Sequence, residues 1–184
     1  MMGGFFATEL KQAGYDALVI VGVAGEPVCL FINDDEVQIK DATNLWGKTT
    51  FETQKEIMKN LGCKDLQIAT IGKAGENLVR YACMISGTRA SGRGGIGAVL
   101  GSKKLKAIVV HGSKTISLPN RDLAYEHAIK LTQQLKNSPA FRSFSRYGST
   151  ASPATYSSMG ILGSYNWQRE VFEDAELISG EHNL

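Results

Sequence analysis

The chain has 184 residues, 43% of them apolar and 21% charged, with 20 glycines, 4 prolines and a formal net charge of +2. That balance is typical of a soluble globular chain with room for a sizeable core, and no Lys/Arg stripe interleaved with aromatics points to nucleic acid. The longest apolar runs, such as Ala17–Val21, are too short to cross a bilayer, and nothing in the sequence has the layout of a signal peptide.

In chain order, the helical pattern at Thr8–Ala13 stops at Gly14, a residue suited to a C-cap. Asp16–Gly22 reads as a buried strand and Gly25–Pro27 as a turn. Val28–Ile32 and Val37–Lys40 read as two more strands, and the acidic turn Asn33–Glu36 between them predicts a hairpin. Asn44–Gly47 is a connector. Thr49 or Thr50 caps a helix starting at Phe51, although the pattern Thr50-x-x-Thr53 lacks the acidic partner of a capping box. Ile57, Met58 and Leu61 form the apolar face of that helix, and Gly62 ends it. Leu66–Ile71 alternates as a strand, Leu78–Ile85 fits helix or strand, and Lys106–His111 is a strand. The pattern then changes, with a boundary in Ser113–Asn120. Asn120 predicts the cap of an amphipathic helix from Arg121 to about Lys136. The later chain is irregular and Ser-rich, and its last residues read as a chain cut off within a domain.

Three cysteines, Cys29, Cys63 and Cys83, are odd in number and widely spaced. They predict no disulfide framework, which fits a reducing cytoplasm, and no C-x-x-C loop for zinc or a cluster. Each reads as a small buried apolar residue. His111 reads as a strand-end polar group, His127 as solvent-facing, and Trp46 and Trp167 as packing residues. Glu76 and Asn77 either bond to the glycine-rich segment after them or cap a helix.

That segment carries the chemistry. Residues 89–103 read RASGRGGIGAVLGSK, with Arg89 and Arg93 flanking small residues and a short helical run starting near Gly95. Glycine lets a backbone approach a ligand and adopt positive φ. Backbone N–H groups at a helix start favour anions, and arginine grips phosphate oxygens in pairs. A phosphate or pyrophosphate site follows from these properties, and the competing reading is a glycine-rich surface turn. Gly92-x-Gly94-x-x-Gly97 also matches the dinucleotide fingerprint. It lacks a clean preceding strand, however, and no acidic residue ends a second strand about 20 residues on.

Four segments occur in order: ELKQAGYDALVI (9–20), DATNLWG (41–47), IGKAGENLVRYA (71–82) and the 89–103 segment. Together they resemble the N-terminal domain of aldehyde:ferredoxin oxidoreductases, over roughly Gly3 to Gly112 and more weakly beyond. The resemblance implies an α+β domain of mostly antiparallel sheets with packed helices over residues 1–115. The beginning of a mainly helical domain follows over 116–184. It implies a tungsten or molybdenum ion on two pterins (tungstopterin or molybdopterin), next to a [4Fe–4S] cluster. The implied reaction is oxidation of an aldehyde with water to a carboxylic acid, electrons passing to ferredoxin.

By the same match, Arg89, Ala90, Gly92 and Arg93 hold pterin atoms and phosphates, and Gly3, from the pair before the first helix, touches the cofactor. Gly94, Gly95 and Gly97 serve contact or packing equally well. The family's further cradle residues, including an asparagine, precede Gly3, where Met1 is no replacement. Its cluster cysteines would lie beyond Leu184, and its substrate-acting residues in helical domains not in this sequence. The expectation is therefore a piece not competent for catalysis alone. The alternatives are a non-catalytic phosphate- or cofactor-binding module, a subunit pairing with a second polypeptide or a copy of itself, and a ligand-free structural remnant.

Overall fold

A computed structural model describes residues 3–62 and 65–183, so Met1 and Cys63 lie outside the described residues. The chain divides into two compact units, 1–117 and 118–184. In chain order the first unit contains α1 (Phe6–Gln12), β1 (Val28–Asn33), β2 (Glu36–Asp41), α2 (Thr50–Leu61), β3 (Gln67–Thr70) and α3 (Lys73–Glu76). It continues with β4 (Met84–Ser86), β5 (Arg89–Ser91), α4 (Ile96–Ser102) and β6 (Leu105–His111). The six strands form one sheet in the order β2-β1-β6-β3-β4-β5. Every neighbouring pair is antiparallel except β1 and β6. The unit is thus α+β with a mixed, mostly antiparallel sheet.

β6 is central and buried along six of its seven residues, because both sheet faces are covered. Ile108 and Val110 join Phe6 of α1, Ile32 of β1 and Leu100 of α4 on one face. Ala107 and Val109 join Leu45, Ile57 of α2, Leu66 and Ile68 on the other. A strand buried on both sides reads as a continuous apolar run, which is how β6 showed itself in the sequence. β3 is similar: its last three residues are all buried, so the expected alternation does not appear.

The β1–β2 hairpin forms where the acidic turn predicted it, with Asn33 opposite Glu36 and Asp34 at φ 49°. Helix α2 starts one residue earlier than the helix expected from Phe51, and its cap differs. Thr49 is the N-cap, its hydroxyl accepts from the Glu52 N–H at 3.3 Å, and a Glu52 carboxylate oxygen accepts from the Thr49 N–H at 2.8 Å. The full capping box is therefore present, counted from Thr49 rather than Thr50. The Thr49 N–H and the Thr49 hydroxyl, which also donates to Glu52 at 2.8 Å, hold the Glu52 carboxyl below its usual value. A depressed folded-state pKa contributes stability above the unfolded value of about 4.3 and loses it as pH falls through the folded one. Thr49→Ala is expected to cost about 1 kcal/mol in chemical denaturation. It should also flatten the acid side of the stability profile; an unchanged acid limb would contradict the box.

Two sequence expectations fail here. Asp16–Gly22 is not a buried strand. It belongs to no strand: Leu18 and Ile20 pack on the core, while Val19 and Val21 are 87% and 86% exposed. Apolar content alone proposed a strand, but no ladder partner for it lies among the described residues. Trp167 is 83% exposed rather than packed, whereas Trp46 is half-buried. Of the cysteines, Cys29 is buried and desolvation pushes its thiol up to about 12, so it is an inert apolar residue; Cys83 is half-buried.

The second unit contains α5 (Arg121–Asn137), α6 (Pro139–Tyr147) and α7 (Pro153–Ser158), then turns with one bridge between Ser164 and Arg169. Asn120 caps α5 as expected, accepting from the Leu123 N–H at 3.0 Å. No residue of α5 is buried, and on its apolar face Leu131 and Leu135 are more than half exposed.

Candidate cofactor-binding site

The arginine-glycine segment lies at one edge of the sheet. β4 turns into β5 through Gly87 and Thr88, with Ser86 opposite Arg89. Gly87 has φ 56°, which suits the first position of a two-residue hairpin loop. Its N–H donates to Gln54 Oε1 at 2.8 Å, and Gln54 Nε2 donates to the Thr50 carbonyl at 3.1 Å. Buried Gln54, on α2, thereby pins the turn that presents Arg89. Sequence reading missed it, because a glutamine 33 residues away carries no local signal.

β5 directly precedes Gly92, so a short strand does stand before the fingerprint. The dinucleotide context still fails. β5 is a three-residue edge strand, while β6, the strand after α4, lies three places away between β1 and β3. Counting the antiparallel steps β6–β3, β3–β4 and β4–β5 makes β5 and β6 run in opposite directions, so they are not halves of a βαβ unit.

The glycines separate into two classes. At Gly95 (φ 66°) a Cβ would lie 2.3 Å from the Arg80 carbonyl oxygen, and at Gly97 2.7 Å from that of Ala82. At Gly101 it would lie 1.9 Å from the Gly75 oxygen. Packing of α4 on residues 75–83 alone accounts for these three. Gly94 has φ 80° and open space, so conformation accounts for it. Gly92 is different: its φ is ordinary and a Cβ would make only van der Waals contact with Cys83 Sγ at 3.7 Å. Among the described residues nothing demands glycine at that position.

Gly3 is of the same kind, with ordinary φ and the nearest atom to its Cβ being Arg89 Cδ at 3.6 Å. Gly4 has φ 88° and would hold a Cβ 3.1 Å from Arg89 Cγ. The fold thus brings the glycine pair ahead of α1 against the Arg89 stem, across 85 residues of sequence. Gly4, Phe5, Gln67, Ser86, Thr88 and Arg89 line a cavity of about 510 Å³. Ala90 is exposed beside Arg89 in β5, opposite Ile85, and Arg93 is exposed in the loop after it. Arg93 does not line this cavity, so of the two arginines only Arg89 is joined to the glycine pair.

Among the described residues, Arg80, Arg89 and Arg93 form no ion pair. From Asn77 to Asn120 the sequence contains no Asp or Glu, but it does contain Arg80, Arg89 and Arg93 and four lysines, of which Lys106 pairs with Glu76 and Lys114 with Asp35. Such a field draws anions, and the acid-free stretch is a sequence signal that local motif reading overlooked. Glu76, just before it, bonds neither to the glycine loop nor as a cap. Its carboxylate accepts from Lys106 Nζ at 2.5 Å and from the Gly47 N–H at 2.9 Å.

Residues 1–112 match the family model for the aldehyde ferredoxin oxidoreductase N-terminal domain. The chain belongs to that family. It is 44% identical over 181 residues to the tungsten-containing aldehyde ferredoxin oxidoreductases of Pyrococcus abyssi and Thermococcus kodakarensis, covering 97% of this chain and 30% of each relative. A 118-residue match, 43% identical, links it to an aliphatic sulfonate oxidoreductase, WOR-like subunit, of Pyrococcus furiosus, over 57% of this chain and 19% of that one. Among solved structures, an active site complex BamBC of benzoyl coenzyme A reductase, with 1,5-dienoyl-CoA, contains a similar chain: TM-score 0.72, 45% identity, covering 73% of this chain and 21% of that one. The chain therefore spans about a third of the length of its tungsten-containing relatives. No helix among the described residues is long and apolar enough to cross a membrane.

Proposed function

We propose that this chain supplies part of the cradle for a tungsten- or molybdenum-carrying pterin cofactor, in an oxidoreductase that converts aldehydes to carboxylic acids. The observation that carries the proposal is the pair of glycines the packing does not explain, Gly3, set against the stem of Arg89, and Gly92, three residues after Arg89 in sequence, with Arg89 in no ion pair among the described residues. The fold demands neither glycine, so close backbone approach to a ligand gives each a purpose. When bound, the pterin-held metal supplies two-electron chemistry. The chain's own residues bind and orient it. Arg89 faces anionic oxygens from the cavity wall, Arg93 adds charge from the open loop, and the backbone at Gly3, Ala90 and Gly92 comes close where a larger side chain would obstruct.

Among the described residues no group of three or more His, Cys, Asp or Glu could hold a metal ion directly. We place the [4Fe–4S] cluster, the residues acting on the aldehyde, and the transfer of electrons to ferredoxin in the remainder of the family architecture. The relatives named for aliphatic sulfonate and for benzoyl coenzyme A show that neighbours of this portion serve more than one substrate. We assign substrate choice to that remainder.

The test is elemental analysis for tungsten and molybdenum, with pterin fluorescence after acid release, on protein purified without oxygen. Arg89→Ala and Gly92→Ala should each lower retained metal and pterin together by about tenfold or more, given about 1.5–3 kcal/mol for a charge-assisted hydrogen bond. Their thermal unfolding should stay unchanged. Full retention in both variants would refute the assignment.

A further inference from the structure

Backbone accounting singles out residues 17–23. Among the described residues, no backbone–backbone hydrogen bond is made by any of them; the nearest are Tyr15 N–H to Leu10 and Ala24 N–H to Lys103. From Ala17 to Val21 exposure alternates residue by residue, the two-residue period of an extended chain. Leu18 and Ile20 sit half-buried on the core, while Val19, Val21 and Val23 are 87%, 86% and 69% exposed. Beside it, Val37 and Ile39 of β2 are 50% and 74% exposed. These five exposed side chains help line an apolar groove of about 590 Å³ between segment 17–24 and the β1–β2 face.

A segment that makes no backbone–backbone hydrogen bond among the described residues, with only the Gly22 carbonyl taken up by a side chain (Lys103 Nζ, 3.1 Å), and that carries a row of bare valines, is a strand edge awaiting a partner. Left alone it costs little in backbone solvation but exposes β-branched surface that water disfavours. We infer that this edge is a strand-addition site, and that its occupant is an extended, alternately apolar segment of the polypeptide supplying the rest of the family architecture. Two observations select that occupant. The chain covers 30% of its tungsten-containing relatives, so about 70% of their length lies outside it and is available to cover exposed surface. The unmet requirement is also for main-chain pairing plus alternate apolar pockets, which an added strand satisfies and a packed helix or a small molecule does not. The bare edge belongs to unit 1 and does not depend on the cofactor proposal.

The experiment is co-expression of this chain, affinity-tagged, with the portion of the Thermococcus kodakarensis relative that it does not match. Amide hydrogen exchange is followed through residues 18–23 with and without that second polypeptide. Stoichiometric co-purification is expected, together with slowing of exchange in residues 18–23 by about tenfold or more. Replacing Val19 and Val21 together by lysine (V19K/V21K) should lower recovery of the partner about tenfold, because two ammonium groups would have to be buried. Both positions are exposed in the chain itself, so the double variant should fold, with unchanged unfolding as its control. Absence of a complex would overturn the inference, as would a complex with unchanged exchange at 18–23. The same protection appearing by self-association without the partner would assign the edge to a second copy and equally overturn it.

Discussion

Lys106→Met is expected to lower the unfolding free energy of the first unit by about 3–5 kcal/mol, the usual cost of leaving one member of a buried ion pair alone. Lys106 is fully buried. Its ammonium donates to Glu76 Oε1 at 2.5 Å and to the Lys48 carbonyl at 2.8 Å. The other Glu76 oxygen holds the Gly47 N–H. The backbone explains why a lysine points inward in the most buried strand. β1 and β6 shift register between Val28 and Cys29, which pair with Leu105 and Ala107, so Lys106 is the unmatched residue. Its carbonyl accepts from the Ile71 N–H and the Thr70 hydroxyl on β3 while its side chain is turned toward α3. With methionine there, a carboxylate 5% exposed loses its cation and the Lys48 carbonyl loses a donor. The double variant Lys106→Met with Glu76→Leu should be destabilised by less than the sum of the two singles, with a coupling of about 0.5–3 kcal/mol. Urea denaturation of all four proteins measures it; simple additivity would show that the two groups do not interact.

Gly101→Ala should be at least as damaging, at about 3 kcal/mol or more. Propensity argues the other way, since alanine in a helix interior gains up to about 1 kcal/mol over glycine. Sterics win because the new Cβ would sit 1.9 Å from the Gly75 oxygen and 2.7 Å from its carbon, and backbone cannot rotate aside as a side chain can. The α3–α4 contact would have to open. Gly25→Ala is the control, with open space and an ordinary φ, and should shift stability by no more than about 0.5 kcal/mol. Thermal unfolding followed by circular dichroism reads both. A G101A protein that melts with the wild type would mean the close approach of α4 to Gly75 is not as described.

These two sites mark the limit of what was legible in the sequence. Local signals carried well: the acidic turn and its hairpin, the Gly62 stop of α2, the continuous apolar run of β6 and the Asn120 cap. Each is decided within a few residues. The Thr49–Glu52 box was missed through a one-residue choice of cap. The Lys106–Glu76 pair spans 30 residues and announced itself only as a charge in an apolar run. For the site, the residues with unusual composition were found, but their division by purpose was not. Which of Gly92, Gly95, Gly97 and Gly101 answers to packing depends on what lies across from each, and that is a property of residues 75–83 folded against α4. Asp16–Gly22 erred in the opposite sense: its composition is that of a strand, but a strand also needs a neighbour.

The parallel pairing of β1 with β6 has a kinetic corollary. Cys29 and Ala107 stand opposite each other although 78 residues (107 − 29) separate them. Ten of the 21 residue pairs in the sheet's ladders involve β6, through β1 on one side and β3 on the other, and β6 is the last of the six strands to leave the ribosome. Until it emerges, the β1–β2 and β4–β5 hairpins are disconnected, each too small to be stable in water. Closing so long a chain loop before its contacts can reward it favours slow folding, in the millisecond-to-second range typical of topologies rich in distant pairings.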